Sequence, residues 1–177
     1  MTRSTTDHAA DIRQTLKARH GWTGRDVSVR ADYYSMGSSL RISIKNPNIP
    51  RAIVCAIAKP SERIDRDQFG EILGGGNRFV DIHYASEALH IIGARFSLAV
   101  EAAVAQLPPK GQDSRSLINI EGTPYLVGRS TNYWGLSIWD SQSHCTECSE
   151  ISDTAQWIGV AMLNREVHVD IDVREEF

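Results

Sequence analysis

The chain has 177 residues, 41% of them hydrophobic, and a formal net charge of −3. That length holds one ordinary domain or one domain with an elaborated tail, and the apolar share is enough for a core, so disorder is not the default reading. The total charge selects no partner, but residues 1–64 carry 11 Lys and Arg against 5 Asp and Glu, a net +6, while residues 65–177 carry 8 against 17, a net −9. Such a split fits a polyanion-binding face, an acidic interaction face, or the chance partition of a neutral surface.

In chain order, Thr5, Thr6 and Asp7 offer an N-cap for a helix to about Arg19, with Ala9, Ala10, Ile12 and Leu16 as its buried stripe and Gly21 and Gly24 as its stop. Residues 27–30 and 40–45 alternate apolar and polar, as half-buried strands do, so with residues 32–38 between them they read as a hairpin with a longer loop. Pro50 suits the first turn of a short helix that must end before Pro60. Residues 61–69 are charged and ambiguous, and Gly74-Gly75-Gly76-Asn77 is a flexible turn. Residues 78–84 form a strand with Val80, Ile82 and Tyr84 on one face. Ser86 caps a long helix to about Leu107, with Leu89, Ile92, Phe96, Val100, Val104 and Leu107 as its stripe. His90, Arg95 and Glu101 interrupt that stretch, so it is an amphipathic helix and not a membrane span.

Past Pro108-Pro109 the pattern turns to short strands at 117–121, 124–128 and 133–139, spaced as in a β-meander. Residues 141–153 read as a loop, and 155–163 suit either a helix or a strand. Val167, Val169, Ile171 and Val173 alternate with His168, Asp170 and Asp172, which predicts a final strand with an acidic face. The expected fold class is α+β: an N-terminal helix, a β-hairpin, a short helix, a strand, a long helix and a C-terminal antiparallel β-meander. The expected division is an α+β domain at 1–107, a linker at 108–116 and a β-rich subdomain packed on it at 117–177.

Period two puts Val27, Val29, Leu40, Ile42 and Ile44 inward and Ser28, Arg30, Arg41, Ser43 and Lys45 outward. Three cations on one face, beside Tyr33, Tyr34 and Met36 at the loop tip, suit phosphates and stacked bases, and equally suit a solvated sheet face. The tip residues are good protein-contact types, or they fold back over the core. His144, Cys145 and Cys148 give a C-x-x-C with a neighbouring His, but a structural zinc site needs four ligands and no second pair follows. Cys55 among Ile53, Val54 and Ile57 reads as a small buried hydrophobe. Three cysteines without a secretion signal argue against a disulfide framework. His83 beside Asp81 is the nearest thing to an acid–base pair, and on a strand such a pair usually sits in solvent. Asp170, Asp172, Glu175 and Glu176 could face a basic channel, or could be charges that keep an edge strand from aggregating. No catalytic motif occurs, and no cofactor is expected.

Ile12-Arg13 with Leu16-Lys17, residues 27–30, residues 35–42, Asp65 and the strand ending at Tyr84 carry a resemblance over residues 8–88. That segment resembles a large polyvalent-protein-associated domain of phages and conjugative elements; residues 110–177 match no family pattern. The resemblance implies a mobile-element origin, and proteins of that origin often protect the element from restriction or CRISPR machinery. No functional residue comes with it. The expectation is therefore a non-enzymatic, anti-defence (for example anti-CRISPR) inhibitor in the cytoplasm of the host cell, acting by protein–protein contact on a host defence complex. Its binding residues would be Arg30, Tyr33, Tyr34, Met36, Arg41, Lys45, Asp170 and Asp172. The alternative is a nucleic-acid-binding auxiliary protein that uses the hairpin of residues 27–45. A membrane is not an expected partner, and exposed strands leave a homodimer open.

Overall fold

Ser4, one residue before the expected cap, starts the first helix. In the computed structural model, which describes residues 3–35, 37–107, 114–120, 123–130, 133–139, 145–148 and 151–174, helix α1 is Thr5–His20. Ser4 Oγ accepts from the Asp7 N–H, and the Asp7 carboxylate accepts from the Ser4 N–H, so two orphan donors are satisfied reciprocally. Gly21 ends the helix at φ 72°, a left-handed conformation that glycine adopts without steric cost. Thr5, Ala9, Ile12 and Leu16 are buried. Ala10, expected in that stripe, is exposed, because one residue further along a helix turns the side chain about 100° away.

The chain forms two compact units, residues 1–88 with 163–177 and residues 89–162. In the first, strands β1 (Val27–Tyr34), β2 (Gly37–Ile44) and β3 (Asn77–Tyr84) form a sheet in the order β1-β2-β3. β1 and β2 are an antiparallel hairpin whose register runs from Val27↔Ile44 to Tyr34↔Gly37. The turn is tighter than the expected loop: Tyr33 and Tyr34 lie within β1, and Met36 falls outside the described residues. β3 pairs with β2 in parallel, from Gly37↔Asn77 to Ile44↔Tyr84. Parallel pairing requires a crossover, which helix α2 (Arg51–Ala58) and a 3₁₀ turn (Lys59–Ser61) begin.

Inward alternation places Val27, Val29, Leu40, Ile42, Ile44, Val80, Ile82 and Tyr84 in the core with Ile12, Leu16, Ile49, Val54 and Ala58. Cys55, expected to be buried, is only partly so. Pro50 gives α2 no side-chain cap. Tyr84 instead holds the start of α2: its hydroxyl donates to Ile49 O at 2.7 Å and accepts from Arg51 N–H at 3.1 Å. Asn164 Oδ1 takes the next orphan donor, the Ala52 N–H, at 3.1 Å.

The long helix expected over 86–107 is two, α3 (Ser86–Ala94) and α4 (Ser97–Ala105), bent by 60°. The break lies at Arg95-Phe96, whose N–H groups bond back to Ile92 and Gly93 three residues earlier rather than four. No single described helix is long and apolar enough to cross a membrane. Strands β4 (Ser114–Ile120), β5 (Thr123–Ser130), β6 (Tyr133–Trp139) and β7 (Cys145–Cys148) lie in the order β4-β5-β6-β7 with antiparallel neighbours. β7 falls in a segment expected to be loop.

The expected final strand over 167–173 is corrected. Helix α5 spans Ile151–Arg174 and includes Asp170 and Asp172, so strand alternation does not apply to them, and the β-rich meander does not extend to the end of the chain. Ala155, Ile158 and Met162, at helical spacing, pack with Val100, Val104, Tyr125, Val127 and Ile138. Once that packed segment is helical, each added residue gains a backbone bond, and a β-branched residue subtracts only tenths of a kcal/mol.

Gly159 permits the helix crossing in the second unit. A Cβ built on it overlaps Ile92 Cγ2 and meets the Phe96 ring at 3.0 Å. Gly159→Ala should lower stability by about 1–3 kcal/mol despite alanine's better helix propensity, because the overlap in a packed core outweighs it. Urea unfolding of the variant checks this.

Candidate functional site

The outer face of the first sheet holds the residues that the hairpin pattern singles out. The registers align Ser28, Ser43 and His83 in one row, Arg30, Arg41 and Asp81 in the next, and Asp32, Ser39 and Phe79 in the third. Arg30 and Arg41 are exposed, as alternation predicts. The third strand, however, adds Asp81 and His83 to the face, and β1 itself adds Asp32. Arg41 lies 3.6 Å from Asp32, and His83 Nδ1 lies 3.2 Å from Asp81 Oδ2. The face is thus a balanced mosaic of charge. Lys45 stands past the end of β2, where its Nζ donates to Gly24 O at 3.0 Å.

Both tyrosines are tied by their hydroxyls. Tyr33 OH bonds Thr6 Oγ1 at 2.9 Å and accepts from Thr6 N–H at 3.1 Å; the side-chain bond first, then the backbone one, lowers the phenol's pKa from its ordinary value, while 62% of the residue stays exposed. Tyr34 OH donates to Ser38 O at 3.1 Å. Burial and side-chain contacts of Asp170 and Asp172 lie outside the described residues, as does His144. Among the described residues no group of three or more His, Cys, Asp or Glu could hold a metal ion. A shallow cleft of about 260 Å³ lies between α1 and α2, lined by Asp11, Thr15, Arg19, Ala56, Ile57 and Ser61. Its one carboxylate, Asp11, is held by Arg3 at 2.7 Å.

The most sharply built surface feature is the segment 62–76, which leads into β3. Its base is a short antiparallel pairing in which Arg63 and Arg78 exchange backbone bonds of 2.9 and 2.7 Å. Arg66 and Ile72 form a second bridge, and Leu73 N–H bonds Asp65 O at 2.9 Å. The turn follows from Asp67: its Oδ1 accepts from the N–H groups of Phe69 and Glu71, each at 2.9 Å, so a short side chain replaces missing backbone partners. Gly70, at φ 86°, closes the turn, and its carbonyl accepts from Arg66 Nη1 at 2.8 Å.

This finger carries Phe69, 82% exposed, with Ile72 and Leu73 each 47% exposed. Single exposed apolar residues are ordinary, but three on one hydrogen-bonded projection concentrate exposed apolar surface there. Sequence reasoning passed over them because charged neighbours hide the pattern. The available signal was an Asp–Gly turn, Asp67-Gln68-Phe69-Gly70, between Arg66 and Ile72.

Asn77 sets the position of the finger. It is buried, its Oδ1 accepts from Asp65 N–H at 2.8 Å, and its Nδ2 donates to Leu73 O at 2.6 Å. One side chain therefore ties both arms of the finger to the first residue of β3. Beside it, Glu62 and Lys59, 2.9 Å apart, close the outer edge of that strand: Glu62 accepts from Val80 N–H at 3.1 Å and Lys59 donates to Val80 O at 3.2 Å. The hydrogen bond from Lys59 holds the Glu62 carboxyl below its ordinary value of 4.5.

Compared with known proteins, the chain matches no family model, no curated protein and no solved structure.

Asn77→Ala should cost about 1–3 kcal/mol, since it removes the partners of the part-buried Asp65 N–H and Leu73 O, and should speed amide exchange at Asp65; hydrogen exchange reads both. Because the Glu62 pKa is depressed in the folded chain, its contribution is complete above 4.5 and fades as pH falls through the lower folded value. Acid unfolding profiles should therefore differ between the wild-type chain and Glu62→Gln only in that acidic range, apart from a constant offset above it.

Proposed function

We propose that the chain is a non-enzymatic binding protein that acts by protein–protein contact, with the finger of residues 62–76 as its main docking element. The observation that carries this reading is Phe69, a large apolar side chain held in water on a hydrogen-bonded turn. Preorganisation lowers the ordering entropy of association, and burying one phenylalanine contributes about 1.5–3 kcal/mol. Arg66, Asp67 and Glu71 flank it, so the matching partner surface is an apolar cleft with a rim of mixed charge.

The resemblance of residues 8–88 to a large polyvalent-protein-associated domain supports a partner class, a restriction or CRISPR complex of the host cell that the protein would block. The second reading, nucleic acid on the hairpin of residues 27–45, draws less support from the geometry. Asp32 and Asp81 stand among the cations of that face, and phosphate binding favours uncompensated positive charge.

The test is capture of the wild-type and Phe69→Ala chains on lysate from cells carrying a defence system. The expected result is a defence-complex subunit retained by the wild-type chain, with affinity for the purified subunit reduced on the order of tenfold or more in the variant. Equal retention by both chains, or no specific protein, sinks the reading. A salt-sensitive shift of nucleic acid that is lost in Arg30→Ala/Arg41→Ala would favour the second reading instead.

A further inference from the structure

The two outer edges of the first sheet are finished differently. Along β3, the backbone groups of Arg78 are taken by Arg63, and those of Val80 by Glu62 and Lys59. That edge is closed to another strand over those residues. Along β1, Val27 N–H bonds Thr23 O at 2.9 Å, and Val29 O accepts from Arg13 Nε and Nη2 at 3.2 and 2.9 Å. These bonds show that the odd-numbered residues of β1 turn their backbone groups away from β2. The same parity places the N–H and C=O of Ala31 and Tyr33 on the open edge, where no described side chain caps them. Tyr33, within this stretch, is 62% exposed.

Ala31 is flanked on the outer face by charges of opposite sign. Arg30 makes no ion pair among the described residues. Asp32 Oδ2 is buried without a hydrogen bond, 3.6 Å from Arg41, while 43% of the side chain stays exposed, so the carboxylate is open to a second cation through its outer side. If a second copy of β1 runs antiparallel about a two-fold axis through Ala31, Ala31 meets Ala31 of the partner subunit in a hydrogen-bonded pair. Arg30 then faces Asp32 of the partner subunit in the adjoining non-hydrogen-bonded pair, where side chains lie closest. The two-fold makes two such pairs. A shift of register by two residues would lose both, so charge selects the register.

We propose that the chain self-associates through the open Ala31–Tyr33 edge of β1, joining two sheets into one of six strands, with reciprocal Arg30–Asp32 pairs fixing the register. The partner is a second copy because the strand is complementary to itself about Ala31. About this axis Tyr33 lies opposite Val29 of the partner subunit, whose carbonyl Arg13 already holds, so the pairing centres on Ala31, is short, and gives a weak, concentration-dependent dimer.

Sedimentation velocity of the full chain over a concentration series tests this. The expected result is a monomer–dimer equilibrium. Arg30→Asp and Asp32→Arg should each weaken it on the order of tenfold, because each places like charges opposite one another. The double variant Arg30→Asp/Asp32→Arg should restore it. Ala31→Pro, which removes an N–H that points away from β2, should abolish dimerisation while circular dichroism confirms that the chain remains folded. A chain that is monomeric to on the order of 0.1 mM, single variants that associate like the wild type, or a double variant that fails to recover would each overturn the proposal. Binding of the chain to a defence subunit through Phe69 is read separately, so the two ideas can fail independently.

Discussion

The close approach of Gly37 to Asn77 is the constraint on which the first unit depends. Gly37 has φ 148°, and a Cβ there would lie 2.5 Å from Asn77 O. Only a residue without a side chain lets β3 begin alongside β2 at that point. The register that follows, residue by residue from Gly37↔Asn77 to Ile44↔Tyr84, brings Ile82 and Tyr84 under the helices and sets Asp81 and His83 on the outer face. The same junction continues outward through polar contacts: Thr5 Oγ1 meets Ser38 Oγ at 2.7 Å, Ser38 Oγ donates to Asn77 O at 3.3 Å, and the Asn77 side chain holds both arms of the finger. Buried polar groups of this kind must all be satisfied, so the cluster rigidifies the place where Phe69 is displayed.

Charge acts here through placement more than through amount. The basic front of the sequence does not give the sheet a uniformly basic face, because carboxylates stand among its cations: Asp32 near Arg41 and Asp81 in the same row, with Glu62 on Lys59 and Asp65 on Arg63 beside it. Exposed pairs of this sort contribute little to stability. Their consequence is for recognition, since a mosaic face discriminates between partners by pattern and offers no continuous track for a phosphate backbone. The Lys59–Glu62 pair has a further effect: it occupies both edge groups of Val80 and so protects β3 from unintended pairing.

Legibility followed the range of the interactions. The N-terminal helix, the inward and outward positions of the hairpin, and the β3 strand were readable because each is a local periodicity backed by neighbouring cap or turn residues. The single long helix was misread because the bend at Arg95-Phe96 leaves the apolar spacing nearly intact, while Ile92 and Phe96, on either side of it, pack closely against Gly159 far along the chain. The segment 167–173 alternates like a strand, yet it continues a helix whose earlier turns are fixed by the packing of Ala155, Ile158 and Met162. The finger was missed because its order comes from Asn77 and Asp67, whose bonds reach across a turn rather than along a repeat.

By itself, the sequence determined the periodicities: which faces of α1, β1, β2 and β3 are apolar, where Gly21 and Pro60 stop helices, and that no familiar catalytic motif is present. These depend on residues within a few positions of one another, where sterics and side-chain period decide the outcome. The tertiary structure decided that β3 lies parallel to β2, that Asp81 joins Arg30 and Arg41, that one sheet edge is closed and the other open, and that Phe69 stands exposed on a hydrogen-bonded turn. Those outcomes depend on backbone hydrogen bonds and close approaches between residues far apart in the chain, and no local pattern encodes them.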